Sequence, residues 1–388
     1  MTNFISMQCA KFFTTIFSII FFSFISSSSH ASTHQTINIV IITSDNTTFS
    51  GTPNHLRRPK NEGIAGAHLA IPEANQTGRF LGYSLNITDK SPSDLTEDDS
   101  VVLLNLNETD ALKYIPQLTK RFPNTLFINA RSQNNQWRTE RCSANLFHTI
   151  PSFAMQADAL GQWLLQQRMQ KLFVVKGEHP ADAQYVESIQ RMAKRFKIDI
   201  VEEKLWTGDF DLRRVAYKEV PQFTKARNAY DALFVSDYQR DFGYALPYNV
   251  HGQAPVIGDF GLKAVTWHHT IEQWGARQLQ NRFVETYHRN MTSLDFTAYL
   301  AVRAIGYAAQ IHQVFDGRSL SETMLSEKFA LAAYKGRKLS FRPQNRQLRM
   351  PIALAHDAGL LTNAPLEGFL HPTTDLDTLG YDHHERCQ

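Results

Sequence analysis

Long runs of like charge are missing from this chain. Lys and Arg number 40 against 37 Asp and Glu, for a formal net charge of +3. Without a block of like charges the chain lacks the electrostatic footprint of a nucleic-acid partner, and none is expected. Cysteine is scarce, at 3 residues, and no CxxC occurs. Also absent are GxxxxGK[ST], GxGxxG after a strand, GxSxG and HExxH, the signatures of phosphate, dinucleotide, serine-hydrolase and zinc-protease chemistry. His268-His269 and His383-His384 are adjacent pairs, whose side chains diverge on a helix or strand and so rarely chelate one metal. Asp209, Asp211 and Arg213 crowd one loop and read as solvated surface. The expectation is a protein without metal, cofactor or catalytic group. No internal repeat or low-complexity tract is visible.

What is there begins with a leader. Lys11 is the only charged residue before Ser32, Phe12 to Ile25 is an apolar run, and Ser29-His30-Ala31 follows. This is the pattern of a secretory signal, with cleavage expected after Ala31. The apolar core is short for a bilayer span, and no later segment is apolar for long enough. Cys142 and Cys387 remain after cleavage. An exported chain meets an oxidising compartment, so the pair reads either as a disulfide or as two separate thiols. With 43% hydrophobic residues, the remainder suffices for one large or two ordinary domains.

Period and punctuation predict an α/β chain. Ile37 to Thr43 is an apolar, β-branched run of the kind buried in parallel sheets. A polar loop from Ser44 to Asn61 follows, with Arg57, Arg58 and Pro59. Glu62 to Asn75 reads as a helix, irregular at Pro72. Strands are expected at Tyr83 to Thr88, Val101 to Leu104 and Thr125 to Ile128, with a helix at Ala111 to Phe122. Leu146 to Ile150 reads as a strand. Pro151-Ser152 then offers a helix start, and Phe153, Ala157, Leu160 and Leu164 fall on one helical face. Leu172 to Val175 is a buried strand. This strand–helix–strand run predicts a right-handed unit of a parallel sheet, at the point where one lobe ends and a second begins. The second lobe continues with a helix at Ala181 to Phe196, a strand at Ile198 to Glu202 and a helix at Ala216 to Ala226. Strands follow at Ala232 to Ser236 and Pro255 to Gly258. Two long helices, Thr270 to Tyr287 and Leu294 to Val314, imply a return to the first lobe. Lys338 to Arg342 and Met350 to His356 read as strands joined by a turn at Pro343. A tail rich in Pro, Thr and Asp, from Leu370 on, lacks the apolar periodicity to hold itself down, yet its Leu370, Leu376, Leu379 and Tyr381 suit a segment laid along a surface.

Ligands of open α/β sheets bind outside the carboxyl ends of the strands. Those ends carry Arg131-Ser132, Gly177-Glu178, Asp237-Tyr238 and Asp259-Phe260. Tyr and Phe offer faces for stacking, while Arg and Asp offer charge-assisted hydrogen bonds.

HTIPSFAMQADAL, GIAGAHLAIPEAN and FTAYLAVRAI resemble, respectively, the crossover, first helix and late buried helix of the type I periplasmic binding proteins. That superfamily holds the receptors for branched-chain amino acids and similar solutes in ABC importers. A narrower likeness lies in NARSQNNQWRTERCSANLFHTIPS, EEKLWTGDFDLRR, EQWGARQLQNRF, KGRKLSFRPQNRQLRMPI and GFLHPTTDLDTLGYD. These are similar to the binding proteins that accompany pyrroloquinoline-quinone-dependent alcohol dehydrogenases. The resemblance implies two Rossmann-like lobes with parallel sheets, joined by a hinge. Residues 32–148 and about 266–337 would form the N-terminal lobe, 149–265 and about 338–369 the C-terminal lobe, and 370–388 the tail.

It further implies a periplasmic protein that is not an enzyme and that binds a small solute in the interlobe cleft. An inner-membrane permease would be its partner, along with the alcohol dehydrogenase system. The alternative is a sensor or accessory protein of that system on the same fold. Carried over position by position, Ser132 fits the first-lobe hydroxyl and Tyr185 the aromatic at the start of a second-lobe helix. Tyr238 fits an aromatic after a second-lobe strand and Asp259 the acidic position before the return, while Asp295 falls near a late-helix aromatic. Arg131, Asp237 and Phe260 complete the expected ligand set. The residues after the third and fourth strands depart from the amino-acid receptors, keeping only Ser132 of the small hydroxyls. An α-amine would have to be met by Asp237 or Asp259.

Overall fold

The computed structural model describes residues 34–46, 52–208 and 212–381. The expected signal segment, the loop carboxylates Asp209 and Asp211, the pair His383-His384 and Cys387 lie outside the described residues.

The first sheet is built from β1 (Gln35–Thr43), β2 (Tyr83–Asp89), β3 (Val101–Asn105), β4 (Leu126–Asn129) and β5 (Leu146–His148), all parallel, in the order β2-β1-β3-β4-β5. Alternation of side chains along β1 explains its unbroken apolar run. Ile37, Ile39 and Ile41 enter one core, and Val40 and Ile42 the other. Helix α1 (Ile64–Leu81) covers the first face and α2 (Glu108–Arg121) the second. α1 runs on through Pro72 to Leu81, beyond the expected end at Asn75. Its buried residues are Ala65, Gly66, Ala67, Ala70, Ala74 and Gly78, and this small face packs tightly enough to outweigh the lost proline hydrogen bond.

α3 (Phe153–Gln166) starts where the sequence indicates, with Ser152 Oγ accepting from the Met155 N–H at 3.3 Å. The strands on either side of it belong to different sheets, however. β5 ends the first, and β6 (Lys171–Lys176) sits inside the second, so the run is a crossover between lobes and not a unit of one sheet. Because α3 is buried on nearly every side, its apolar pattern could not reveal which sheet each flanking strand joins.

The second sheet has the order β7-β6-β8-β9, from β6, β7 (Asp199–Leu205), β8 (Ala232–Ser236) and β9 (Val256–Gly258), again parallel. α4 (Pro180–Phe196) and α5 (Leu212–Phe223) complete the lobe. Leu172 and Val174 face one core, Phe173 and Val175 the other. An antiparallel sheet of β10 (Lys263–Val265), β13 (Ile352–His356) and β14 (Gly359–Ala364) adjoins it.

Between these strands the chain returns to the first lobe through α6 (Ala276–Tyr287), α7 (Ser293–His312) and α8 (Gly317–Met324). α6 begins at Ala276 instead of Thr270, because Trp274 and Gly275 take positive φ (54° and 81°) and break the helix start. α7 is buried on most sides and packs against α1, where Gly66 is indispensable. A Cβ on Gly66 would stand 1.8 Å from the Asp295 carbonyl oxygen. The turn expected at Pro343 forms, with Phe341 and Leu348 bridged antiparallel across it and the Arg342 N–H donating to the Gln347 carbonyl at 2.9 Å, but the strands on either side find other partners. β12 (Lys338–Leu339) pairs with β11 (Leu331–Ala332), and β13 pairs with β10 and β14. Leu339, Phe341, Leu348 and Met350 join the first-lobe core, and along β13 the side chains then alternate, Ala353 facing that core and Ile352 and Leu354 the second.

The tail is anchored by charge and by apolar contact, with Leu376 buried and Leu379 inside the second-lobe core. Asp377 accepts from Arg342 Nε at 2.7 Å and Arg349 Nε at 2.8 Å. The Gly380 N–H donates to Asp158 at 2.8 Å, and the Arg191 guanidinium lies 4.5 Å from the Tyr381 ring centre. Asp158 is itself bonded by Arg191 and Arg195.

Candidate functional site

A cavity of about 450 Å³ opens between the lobes. Its walls include Glu62, Thr292 and Ser293 from the first lobe, and Ala181, Tyr185 and Ser236 to Tyr238 from the second. Phe153 and Trp267, at two of the crossings between lobes, add apolar wall. A smaller pocket of about 70 Å³ adjoins it, sharing Arg57, Arg58, Tyr238 and Arg240 and adding Arg131, Asn46 and His179.

The loop after β1 reaches across the cleft. Thr52 Oγ1 donates to the Gln239 carbonyl at 3.0 Å, and Arg240 Nη1 donates to the Leu56 carbonyl at 3.2 Å. Leu56 packs against the second-lobe core. The Arg58 guanidinium lies 5.7 Å from the Tyr238 ring centre. The His179 ring stacks on Tyr238 with centres 4.4 Å apart. Tyr185 stacks on Phe153 at 5.0 Å and meets Phe234 edge-on. These tie the loop, a β-strand end and a helix start into one bridged wall.

Charges at the site perturb one another. Arg58 Nη1 lies 3.3 Å from Glu62 Oε2. Burial acts to raise the Glu62 pKa, but Arg58, Arg240 and Arg131 together win and hold it below the usual carboxylate range. For Arg58 burial lowers the pKa, and Glu62, Tyr238 and Asp259 overcome it. Arg240 falls to about 10, first because of Arg58 and then through burial. Arg131 is lowered by burial and then by Arg58.

In the second-lobe wall and just behind it, burial pushes acids up. Asp182 rises to about 7, through burial and then the nearby Asp259 charge. It accepts from Ser236 Oγ at 2.9 Å and from the Tyr238 N–H at 2.8 Å. Asp259 is raised by burial, against the pull of the Asp237 N–H and Arg240. Asp237 is raised by burial, and its carboxylate accepts from the N–H groups of Asp241, Phe242 and Gly243.

Of the residues named from sequence, Tyr185, Asp237, Tyr238 and Asp259 lie on the large cavity, and Arg131 lies on the small pocket with Tyr238. Three others are engaged elsewhere. The Ser132 hydroxyl donates to Glu108 Oε2 at 2.6 Å and accepts from Trp137 Nε1 at 2.9 Å. Phe260 is buried beside Gly243 in the second-lobe core. Asp295 closes a capping box at the start of α7. It also accepts from the Gly63 N–H at 2.8 Å and pairs with Arg289 at 2.6 Å. A cap and ion pair of this kind leave it no carboxylate oxygen for a solute.

Sequence reasoning placed Arg57 and Arg58 in a loop and took them no further. The loop follows a strand's carboxyl end, where such sheets bind ligands, so a signal was present. Arg240 and His179 gave none, because their place in the site depends on Tyr238. Arg131 is 7% exposed. Its Nη2 donates to Asn46 Oδ1 at 2.9 Å, and its buried Nη1 has no hydrogen-bond partner. A buried cationic N–H left so costs about 1–3 kcal/mol.

Among the described residues no group of three or more His, Cys, Asp and Glu side chains could hold a metal ion. No helix among them is long and apolar enough to cross a membrane. No family model and no curated protein matches the chain. Solved structures do resemble it. One is a leucine-, isoleucine-, valine-, threonine- and alanine-binding protein from Brucella ovis in a closed conformation. It is 10% identical with a TM-score of 0.66, over 82% of this chain and 89% of that one. Another is an ABC transporter solute-binding protein from R. palustris in complex with benzoate, 10% identical, TM-score 0.65, over 90% and 99%. A third is an ABC transporter substrate-binding protein from Sphaerobacter thermophilus, 14% identical, TM-score 0.67, over 89% and 100%. At these identities the likeness establishes architecture: the chain has the type I periplasmic binding protein fold.

Proposed function

We propose that this chain is a periplasmic solute-binding protein that takes a small molecule into the interlobe cleft and passes it to an ABC permease. The observation that carries the reading is one cavity of about 450 Å³ walled by both lobes. A ligand touching both walls stabilises the arrangement in which the lobes approach, which is how hinge proteins couple binding to shape. What the similar structures are described as binding, amino acids and benzoate, sets the size class of the solute. Arg131, Tyr185, Asp237, Tyr238 and Asp259 are the proposed wall residues.

A thermal-shift panel of amino acids, organic acids and alcohols, paired with small-angle scattering, tests this reading. A ligand at about a hundred times its Kd adds roughly 2.7 kcal/mol to the folded state. A hit that also shortens the radius of gyration supports a receptor. The absence of any hit and of any compaction counts against it.

Sequence likeness supports the finer proposal, a role beside pyrroloquinoline-quinone-dependent alcohol oxidation. Normal growth on alcohols by a strain lacking this protein would remove that link. We also propose a Cys142–Cys387 disulfide, supported by the fact that Cys142 is not a free thiol and by the anchored tail up to Tyr381. Peptide mapping without reduction should recover the two cysteines in one linked fragment.

A further inference from the structure

Within the solute-receptor reading, on which this inference rests, we propose that the cleft takes an organic anion. Its carboxylate sits among Arg131, Arg58 and Arg240, and its apolar body lies along Phe153, Tyr185 and Trp267.

Arg131 carries the argument. It is 7% exposed and lines the small pocket, yet its Nη1 donates to nothing. A guanidinium presents its donors in a fixed planar fork, and a carboxylate is the geometric complement of that fork. The pocket volume of about 70 Å³ fits such a group. A water molecule takes roughly 30 Å³ in the liquid, so the space exceeds one solvent molecule.

The charge balance points the same way. Arg58, Arg131 and Arg240 stand close enough that Arg58 disfavours the charge of the other two. The acids acting on them are Glu62, Glu108, Asp237 and Asp259. Glu62 is already paired with Arg58. Asp259 accepts from the Asp237 N–H at 2.8 Å, and burial raises its affinity for a proton. Asp45 and Arg57, also on the small pocket, are exposed and of opposite sign. Among the described residues only Glu62 forms an ion pair with any of the three, so Arg131 and Arg240 have no carboxylate in direct contact.

The second wall fits an apolar body better than an ammonium group. Asp237 directs its oxygens to the turn at 241–243. Phe153, Tyr185 and Trp267 are buried and line the large cavity. The two pockets share Arg58, Tyr238 and Arg240, so a molecule can place its head in one and its body in the other.

Calorimetric titration of the full exported chain with benzoate, succinate and citrate, and with benzyl alcohol and leucine as comparators, tests the proposal. At least one of the three carboxylates should bind, at least about tenfold tighter than benzyl alcohol or leucine. Arg131→Gln should weaken that carboxylate by about tenfold or more, and Arg131→Lys should restore only part. Circular dichroism would report folding, and Arg240→Gln, with the same expectation, would stand in if Arg131→Gln does not fold. Equal binding of benzyl alcohol or leucine would overturn the anion class, as would unchanged carboxylate affinity in Arg131→Gln. If a comparator binds and compacts the protein while no carboxylate does, the receptor reading survives and only the anion class falls. If no probe gives heat or compaction, both fall.

Discussion

Arg58 and Arg131 come to the cleft from the first lobe, while Asp237 and Asp259 come from the second, with Asp182 beside them on an adjoining pocket. The two sets are held in opposite ways. Glu62, on the first-lobe side, has cations around it that keep it ionised despite burial. Asp182, on the second, has burial and a like charge beside it, and rises to about 7. Two buried carboxylates, one on the cleft and one just beside it, thus hold their protons differently because of which charges face them. Burial alone does not set protonation, since it acts in the same direction on both.

The largest expected effect lies where the lobe is held together, away from the solute. Asp295→Ala removes the side-chain half of the α7 capping box, the Gly63 contact and the partner of Arg289. Loss of one member of a buried pair costs roughly 4 kcal/mol, and the urea midpoint should fall accordingly. A change within error would mean that the first lobe does not depend on this node.

Asp182 and Glu62 should give opposite pH slopes. A raised acid pKa means that the folded state binds the proton more tightly than the unfolded state. Stability is then greatest at low pH and declines as pH rises from about 3.8 to about 7. Asp182→Asn can still accept both of its hydrogen bonds. It should gain roughly 2–3 kcal/mol at pH 8 and lose that decline in a pH series of melting temperatures. For Glu62 the folded pKa lies below the usual value. It contributes stability above the unfolded pKa, which disappears as pH falls through the folded one. Glu62→Gln should therefore cost about 1–2 kcal/mol at pH 7 and nearly nothing in strong acid. Parallel slopes for the two variants would break the comparison.

Arg131→Gln gives the smallest effect on the unliganded protein. Removing a cation whose Nη1 has no partner should be neutral or stabilising by about 1 kcal/mol, while leaving the Asn46 contact open to the new amide. A strong loss of stability would show that Arg131 supports the lobe as well as facing the cleft.

Legibility followed the range of the interactions. The crossover helix was readable because Ser152 caps it locally and its apolar residues repeat at helical spacing. The strands announced themselves because both faces of each central strand are buried. The tail is legible only in part: Leu376 and Leu379 suit a segment laid along a surface and are buried, but the hold of Arg342 and Arg349 on Asp377 is distant in sequence and silent in any periodic pattern. The site was half legible. Strand ends identified Asp237, Tyr238 and Asp259, but Arg131 and Ser132 could not be told apart by type or position.

The sequence by itself determined the two α/β lobes and the point where the chain crosses between them. Periodicity, capping and β-branched runs are local, and each acts over a few residues. Only the tertiary structure decided which neighbour at a strand end faces the solute. Asn129 Oδ1 accepts from the N–H groups of both Arg131 and Ser132. Glu108 and Trp137 then take the Ser132 hydroxyl inward. Arg131 is left on the pocket, beside an Arg58 that comes from another loop and an Arg240 from the other lobe. Coulomb and hydrogen-bond energies depend on distances in space, and those distances exist only once the two lobes are folded against each other.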